Sequence, residues 1–363
     1  MRYAIISDVH ANWQAWSAVL ADIHANQADA IICLGDVVGY GPRPEEVLTS
    51  VRQATRNFVI GNHDAAACGM LDASIFNDHA RSVVHWTGNQ LSAESRAFLQ
   101  QVPLTLETED ILFVHAEIQH PDRFGYIENE DEAVHQFMYS QANIIFFGHT
   151  HKPLAYSLNS DGIKKLPDSD FHLAPGHRYL VNVGSAGEPR DPKDIRARYV
   201  LYDSTRRAVY FRKVKFDVEA YRQDLQQVGL NIQPYFLSVI DHEASQGRNP
   251  IEALSDHMMS VPEKPLFTGN KTAAQKIILG DSPAPTHVPA PTPPAPGQKL
   301  MNSLPPPPVT EKSIPITNPP RQITTSASTV PKPAQNQSNF GFVVFILGVI
   351  LAALTISLLI LFA

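Results

Sequence analysis

The sequence has very little cysteine, and its two cysteines are not arranged to form a covalent framework. Cys33 lies inside the apolar run AIICLG, and Cys68 follows the segment GNHDAAA. Small secreted domains that depend on disulfides need several cysteines at paired spacings, and this chain has no such pattern. We therefore expect a domain that folds around its own hydrophobic core in a reducing compartment.

The sequence also lacks an excess of positive charge, and we expect it to have no signal peptide. Its 29 Lys and Arg residues face 36 Asp and Glu residues, and the net charge of −7 argues against binding to nucleic acid. The first residues, MRYAIISDVH, form a short apolar run that Asp8 and His10 interrupt. We expect the N-terminal body of the protein to be cytoplasmic.

Charge is absent from the last part of the chain. Residues 340–363 contain no Asp, Glu, Lys or Arg. A helix of these 24 residues would be about 36 Å long. That length exceeds the hydrocarbon core of a bilayer, which is about 30 Å thick. The segment predicts a single transmembrane helix that anchors the C-terminus in a membrane.

Proline is concentrated before this helix, because 16 of the 29 prolines lie between Pro283 and Pro333. Such a composition buries too little apolar surface to fold and favours extended polyproline II. We expect residues 266–339 to form a disordered linker, and a second interpretation is that this Pro-rich segment binds a partner protein. Residues 217–265 begin with a polar amphipathic pattern and are interpreted as a helical accessory segment.

Residues 1–216 alternate short apolar runs with amphipathic stretches. Strands are predicted at RYAIIS, AIICLG, RNFVIG, ILFVHA, IIFFGH, YLVNVG, RYVLYD and AVYFRKVKF. Helices are predicted over residues 13–26, 45–54 and 93–101, where apolar residues recur at helical spacing. The order is βαβα at first and rich in strands later, which predicts a layered α/β fold with helices flanking the sheets.

Side chains that bind metals follow five of the predicted strands. These candidate ligands are Asp8, His10, Asp36, Asn62, His115, His149 and His151. Carboxylate, amide and imidazole ligands without thiolates suit first-row divalent ions such as Mn²⁺, Fe²⁺, Ni²⁺ or Zn²⁺. Seven ligands are too many for one open catalytic ion. They suit two ions that share one carboxylate and together bind a phosphoryl group.

The segment FFGHTHKP raises a separate question, because it places His149 and His151 two residues apart. If the extended backbone continues beyond Gly148, both side chains face the same space. That arrangement would suit a metal site or an acid/base pair. The alternative is two loop histidines in a turn.

These motifs together resemble the calcineurin-like metallophosphoesterase superfamily. The resemblance rests on DVH, GDVVGYGP, GNHD, a lone histidine after an apolar strand, and GHTH. It extends from residue 1 to about residue 216 and is closest to a small prokaryotic branch that carries DVHAN and GHTHKP. The resemblance implies a four-layer αββα sandwich with two metal ions at the ends of the strands.

The resemblance also implies roles for individual residues. Asp8, His10 and His151 would hold one ion, Asn62, His115 and His149 would hold the other, and Asp36 would bridge them. His63 would donate a hydrogen bond or a proton toward the phosphate or the leaving group. Asp64 would orient His63 and support its cationic form.

The expected function is that of a dinuclear metal-dependent phosphohydrolase. Its small phosphorylated substrate would be foremost a phosphodiester, attacked by a metal-bound hydroxide. The alternative is a non-catalytic metal-binding module that is tethered to a membrane and recruits partners.

Four other residues lie in or beside these motifs. The chain departs from the family pattern at Glu117, which would face solvent or crowd the site, and at Val183, where relatives often have proline. Tyr40 in GYGP would pack in its turn or contact the substrate. Arg190 would form a structural salt bridge or bind a substrate phosphate.

Overall fold

The computed structural model describes residues 1–108, 110–230 and 234–246. The predicted linker at 266–339 and the predicted transmembrane helix at 340–363 lie outside the described residues and stay predictions. Among the helices within the described ranges, none is long and apolar enough to cross a membrane.

Two six-stranded mixed sheets form the centre of the fold. The first sheet consists of β1 (Arg2–Ile6), β2 (Ala30–Cys33), β3 (Asn57–Phe58), β9 (Phe171–His172), β11 (Ala197–Asp203) and β12 (Ala208–Val214). Its strand order is β3-β2-β1-β11-β12-β9, with β1, β2 and β3 parallel to one another. The carboxyl ends of these three strands therefore meet at one edge of the sheet.

The second sheet repeats this arrangement with three central parallel strands. It consists of β4 (Thr105–Glu107), β5 (Ile111–Val114), β6 (Ile144–Phe147), β7 (Leu154–Asn159), β8 (Gly162–Leu166) and β10 (Arg178–Asn182). Its strand order is β4-β5-β6-β10-β7-β8, and β5, β6 and β10 run parallel. The ends of β5 and β6 also meet at a single edge.

Eight α-helices accompany the sheets within the described part of the chain. They are α1 (Trp13–Ala25), α2 (Pro44–Ala54), α3 (Asn62–Ala67), α4 (Asp78–Gln90), α5 (Ala93–Leu99), α6 (Glu130–Met138), α7 (Val218–Gln227) and α8 (Tyr235–Ser245). Several begin at a residue whose side chain accepts a hydrogen bond from the first turn, namely Asn12, Asn77, Ser92 and Asn129. Such caps satisfy main-chain N–H groups that have no partner inside the helix.

The core follows from the alternation of side chains along the strands. In β1, Ala4 and Ile6 pack with Trp16 of α1, whereas Ile5 points the other way, toward the second sheet. Phe113 and Phe146 of the second sheet meet Ile5 in this central layer. Burying one such side chain contributes about 1.5–3 kcal/mol to folding.

The outer face of the second sheet packs on α6, through Leu112 and Tyr156 of the sheet and Phe137 of the helix. The chain therefore forms an α/β sandwich of two mixed sheets with helices on the outside, as predicted.

Helices α7 and α8 pack against each other through Tyr221 and Phe236, both of them buried. The Asp224 carboxylate of α7 accepts two hydrogen bonds from the Arg43 guanidinium, at 2.7 and 2.8 Å, and a third from the Gln14 amide at 2.6 Å. A bidentate guanidinium–carboxylate pair fixes orientation as well as distance. The pair attaches α7 to the start of α1 and α2.

Candidate active site

The seven predicted ligand residues come together at the edge where the parallel strands of both sheets end. Donor atoms of Asp8, His10 and His151 lie within 4.8 Å of one another, and those of Asp36, His115 and His149 form a second group by the same measure. All six residues are buried. Each group could hold one metal ion.

The Asp36 carboxylate lies between the two groups. Its Oδ2 atom is 3.4 Å from His115 Nε2 in one group and 3.8 Å from His10 Nε2 in the other. Asn62, the first residue of α3, places its Oδ1 atom 3.2 Å from His115 Nε2. The second group therefore has four donors when Asn62 is included, and Asp36 is placed to be shared.

Hydrogen bonds on the far side of the rings determine which nitrogen faces the site. The Nδ1 atoms of His10, His115 and His151 lie 3.2, 2.7 and 2.6 Å from the carbonyl oxygens of Val38, Leu34 and Glu188. Each Nδ1 must carry the proton, because a carbonyl oxygen only accepts. The Nε2 atoms are then free to bind a metal, and ligand histidines are held in this way in known metal sites.

The resulting arrangement brings lone pairs together. His10 Nε2 and His151 Nε2 are 3.1 Å apart, and both are acceptors when Nδ1 carries the proton. The buried Asp8 Oδ1 and His149 Nε2 atoms have no hydrogen-bond partner among the described residues. Unpaired buried acceptors are costly, and a cation placed among them removes that cost. The donor set therefore fits bound divalent ions.

The electrostatics of the protein groups lead to the same conclusion. Burial opposes protonation of His115, but the adjacent Asp36 carboxylate outweighs this effect and raises the pKa of His115 to about 9. Burial and the nearby His115 lower the pKa of His149 to about 3. The site thus attracts positive charge at the carboxylates and keeps His149 neutral, as a metal ligand must be.

The backbone at the ligands is not extended. Asp8, His10, Asp36, His149 and His151 all have φ between 48° and 67°, the left-handed region that residues other than glycine rarely adopt. The extended backbone considered beyond Gly148 is not found, because His149 and His151 both turn into this region, as in the alternative of loop histidines. Their rings consequently reach different ligand groups, and clusters of such conformations are typical of functional sites.

Gly148 is needed because the ligand loops pass very close to each other. A Cβ atom at this position would lie 2.7 Å from Asp8 Oδ2 and would also collide with Ser7 Oγ. Asp8 Oδ2 instead accepts the N–H of His149 at 3.0 Å, and Asp36 Oδ1 accepts the N–H of His63 at 2.8 Å. The second oxygen of each carboxylate is thereby fixed by main chain of a neighbouring loop.

His63, predicted to act on the substrate, lies beside the ligand cluster. Its ring centroid is 5.0 Å from that of His10, 4.6 Å from Tyr40 and 5.1 Å from Phe76. Burial lowers the pKa of His63 to about 4, and its Nδ1 atom has no partner among the described residues. The ring is therefore neutral and can donate through one nitrogen.

The structure places Asp64 differently from the orienting role predicted for it. Its oxygens accept the main-chain N–H groups of Val38 at 3.0 Å and Gly61 at 3.4 Å, and no hydrogen bond joins it to the His63 ring within the described residues. Burial, with the charge of Asp36, raises the pKa of Asp64. Asp64 ties together the loops that carry Asp36 and Asn62.

The Gly-rich segment after β10 supports the ligand loops from behind. The Asn182 amide donates to Gly148 O at 2.6 Å and to Thr150 Oγ1 at 3.0 Å, and its Oδ1 accepts the Gly184 N–H at 2.9 Å. Ser185 Oγ donates to Asp8 O at 2.8 Å. The support of the ligand loops by this segment was not predicted from the sequence.

The two departures from the family pattern are accommodated without loss of a ligand. The Val183 N–H donates to Phe147 O at 2.9 Å, a hydrogen bond that proline could not make. The Glu117 side chain lies against Gly125, where an added Cβ would meet its carboxyl carbon at 2.7 Å. Val183 therefore continues the pairing of β10 with β6 up to the ligand loop.

Comparison with known proteins places this site in a family. The family model of the calcineurin-like phosphoesterase superfamily domain matches residues 1–207, a range that includes all nine predicted site residues. The chain belongs to the calcineurin-like phosphoesterase superfamily. The resemblance inferred from the motifs is confirmed, and the protein is a metal-dependent phosphoesterase.

Relatives of this phosphoesterase cover the same part of the chain. An uncharacterized protein from Methanocaldococcus jannaschii is 32% identical over 222 residues, which are 60% of this chain and 88% of that protein. The crystal structure of a metallophosphoesterase from Sphaerobacter thermophilus is 37% identical, with a TM-score of 0.56 over 63% of this chain and 95% of its own.

A hypothetical protein from Pyrococcus horikoshii OT3 is 18% identical, with a TM-score of 0.52 over 66% of this chain and 97% of its own. This second structure shows a shared fold and nothing further.

Proposed function

We propose that this phosphoesterase hydrolyses a small phosphoester, foremost a phosphodiester, at a pair of divalent ions. The observation that carries the proposal is the position of Asp36, whose Oδ2 atom lies within 3.8 Å of a histidine from each ligand group. Two groups that share one carboxylate suit two ions a few ångströms apart. A single ion would occupy only one of the two groups and would leave the other without a role.

The ligand roles follow from the grouping. Asp8, His10 and His151 would hold one ion, Asn62, His115 and His149 would hold the other, and Asp36 would serve both. Ions of the Mn²⁺, Fe²⁺, Ni²⁺ or Zn²⁺ type match these oxygen and imidazole ligands. When bound, they supply Lewis-acid charge that neutralises phosphoryl oxygens and makes water a stronger nucleophile at neutral pH.

His63 would act on the phosphoryl group or the leaving group. Because its ring is buried and neutral, we assign it a hydrogen bond donated from one ring nitrogen, in place of the cationic form inferred from sequence. Its ring lies between His10 and Phe76, so it cannot move far without losing both contacts. Asp64 would support this role only through the loop that it fixes.

Replacement of Asp36 tests the proposal. The Asp36→Asn variant, supplied with Mn²⁺, is expected to lose at least about 100-fold in hydrolysis of bis-p-nitrophenyl phosphate, the range seen when one electrostatic contributor to a transition state is removed. Asp161→Asn, at the exposed turn between β7 and β8, is the matched control and should keep full activity. Metal content is measured on both proteins.

Full activity in the Asp36→Asn variant would contradict the bridging role. If the metal-loaded wild-type protein hydrolysed neither diesters nor monoesters, the proposed catalytic function would fail, and the metal-binding module would be the better account.

A further inference from the structure

The Arg190 guanidinium lies close to the ligand cluster, and its charge lowers the pKa of the buried Glu188 carboxyl group, against the larger increase that burial causes. The residue is half-buried, and it forms no ion pair with the part of the chain that the structure describes. Its guanidinium carbon lies 5.9 Å from the centroid of the Tyr40 ring. The structural salt bridge considered for Arg190 is therefore not formed within these residues.

Tyr40 places this charge at the rim of the ligand cluster. The Tyr40 ring packs on His10, with centroids 4.8 Å apart, and on His63, with centroids 4.6 Å apart. A guanidinium presents parallel N–H donors that match two oxygens of a phosphoryl group. Because the Arg190 guanidinium forms no direct ion pair with a carboxylate of the described residues, its donors are available to an anion in the site.

A second aromatic residue, this one exposed, lies on the other ligand group. The Tyr126 side chain is 55% exposed, yet its ring centroid is only 4.3 Å from that of His149, at an interplanar angle of 34°. The loop that carries it is anchored by Phe124, which is buried and packs on His115 with centroids 5.9 Å apart. Tyr126 thus presents an aromatic face beside the site from a fixed position.

The two residues act on the same space. The Arg190 charge lowers the pKa of both Tyr40 and Tyr126, against the larger increase that burial causes. Arg190 lies beside Tyr40, which packs on His10 of one ligand group, whereas Tyr126 packs on His149 of the other. A phosphoester bound between them would meet a guanidinium on one side and an aromatic ring on the other.

We propose, building on the phosphoesterase function above, that Arg190 binds a non-bridging phosphoryl oxygen and that Tyr126 packs against an aromatic group of the ester. The preferred substrates are then phosphoesters that carry an aromatic ring, such as a nucleobase or an aryl group. Simple alkyl phosphoesters lack a group for Tyr126 to bind and are poorer substrates.

Two anions that differ by a phenyl ring separate the contribution of Arg190 from that of Tyr126. Binding of inorganic phosphate and of phenylphosphonate to the Mn²⁺-loaded full chain is measured by titration calorimetry, which requires no turnover. Arg190→Gln is expected to weaken both anions by about 10–100-fold, the range of a charged hydrogen bond. Tyr126→Ala is expected to weaken phenylphosphonate by about 3–10-fold, as for an aromatic pair, and phosphate by less than about twofold.

Matched controls are available on remote surfaces. Arg56, exposed before the start of β3, and Tyr139, exposed after α6, have no contact with the site residues. Arg56→Gln and Tyr139→Ala should leave both affinities within about twofold of wild type. Arg190→Lys keeps the charge without the parallel donors and should fall between wild type and Arg190→Gln.

Three results would overturn the inference. They are a metal-loaded wild-type protein that binds neither anion, unchanged phosphate affinity in both Arg190 variants, and equal effects of Tyr126→Ala on the two anions. Binding with these preferences but without hydrolysis of any ester would leave this inference standing and refute the proposed catalytic function instead.

Discussion

Replacing Glu188 by Gln is expected to remove a pH-dependent loss of stability. The Glu188 side chain is buried, and its Oε1 atom accepts the N–H of Tyr235, the first residue of α8, at 2.7 Å. Its Oε2 atom is buried without a hydrogen-bond partner among the described residues. The main-chain carbonyl of the same residue accepts the Nδ1–H of His151, so Glu188 joins α8 to a ligand loop.

The magnitude follows from the pKa of this carboxyl group. Burial raises it from 4.5 to about 7. The folded protein keeps the proton of this carboxyl group to a higher pH than the unfolded chain does. The group therefore costs no stability below pH 4.5, and the fold loses stability as the pH rises from there through about 7. At about 1.36 kcal/mol per pKa unit, the loss is on the order of 3 kcal/mol when complete.

Urea unfolding at pH 5 and pH 8, in the presence of a chelator, measures this loss. The free energy of unfolding of the wild type should fall between the two pH values by roughly 2–3 kcal/mol more than that of Glu188→Gln. The unpartnered amide of the variant costs stability equally at both pH values and cancels. Asp64, whose pKa is also raised by burial, titrates in both proteins and cancels as well.

Equal losses in wild type and variant would refute this reasoning, because they would show that the Glu188 carboxyl is as well solvated in the folded state as in the unfolded chain. Glu107→Gln, an exposed substitution at the end of β4, provides the control and should follow the wild type at both pH values.

Two further predictions concern the ligand loops and the substrate. Asn182→Ala leaves Gly148 O and the Gly184 N–H without their partner, so urea unfolding should show a loss of roughly 2–5 kcal/mol in the free energy of unfolding. Calorimetry should show that the affinity for Mn²⁺ falls about 10–100-fold. The control Asn89→Ala, at an exposed position, should change the stability by less than about 0.5 kcal/mol. His63→Gln should reduce kcat on bis-p-nitrophenyl phosphate at least about 100-fold with unchanged metal content, whereas an unchanged kcat would mean that the ring only packs against Tyr40.

The strands that bring the site together were the most predictable part of the fold. All eight predicted strands exist, although β3 keeps only Asn57–Phe58 of the run RNFVIG. Most of these apolar runs are buried on both faces, as central strands of a layered sandwich must be, and this produces a strong local signal. Because polar residues end five of these runs, their convergence at one edge could be expected from sequence.

Four of the strands that the structure describes were missed. One of them, β7, is buried over its first four residues and was simply not recognised, and the other three have weaker local signals. In β8 the residues Lys164 and Lys165 are exposed, so the segment GIKKL has no apolar face to mark it. Strands β4 and β9 have only three and two residues and gain their order from pairing with β5 and β12. Pairing of this kind joins distant segments, and a propensity argument does not detect it.

One missed helix could have been found. In α4 the buried residues Ala80, Val83, Val84 and Thr87 recur at helical spacing, and Asn77 caps the start.

The backbone conformation at the ligand residues could not be predicted from the sequence, and it explains how the site is built. Five of the seven ligand residues adopt a left-handed conformation, which costs on the order of 1 kcal/mol or more for each residue that is not glycine. Main-chain hydrogen bonds between neighbouring loops hold them there: His10 N–H donates to Asp36 O at 2.9 Å, Asp8 N–H to Gly35 O at 3.0 Å, and Gly187 N–H to Asp8 O at 3.0 Å.

Each loop therefore fixes the conformation of the next, and the donors are held in position by protein contacts. Such preorganisation is what electrostatic catalysis requires, because the protein then has little left to rearrange as charge develops on the phosphoryl group. Asp8 belongs to one ligand group and Asp36 to the other, and these same hydrogen bonds join their loops. A substitution that loosens any one loop should consequently weaken metal binding by both ligand groups together.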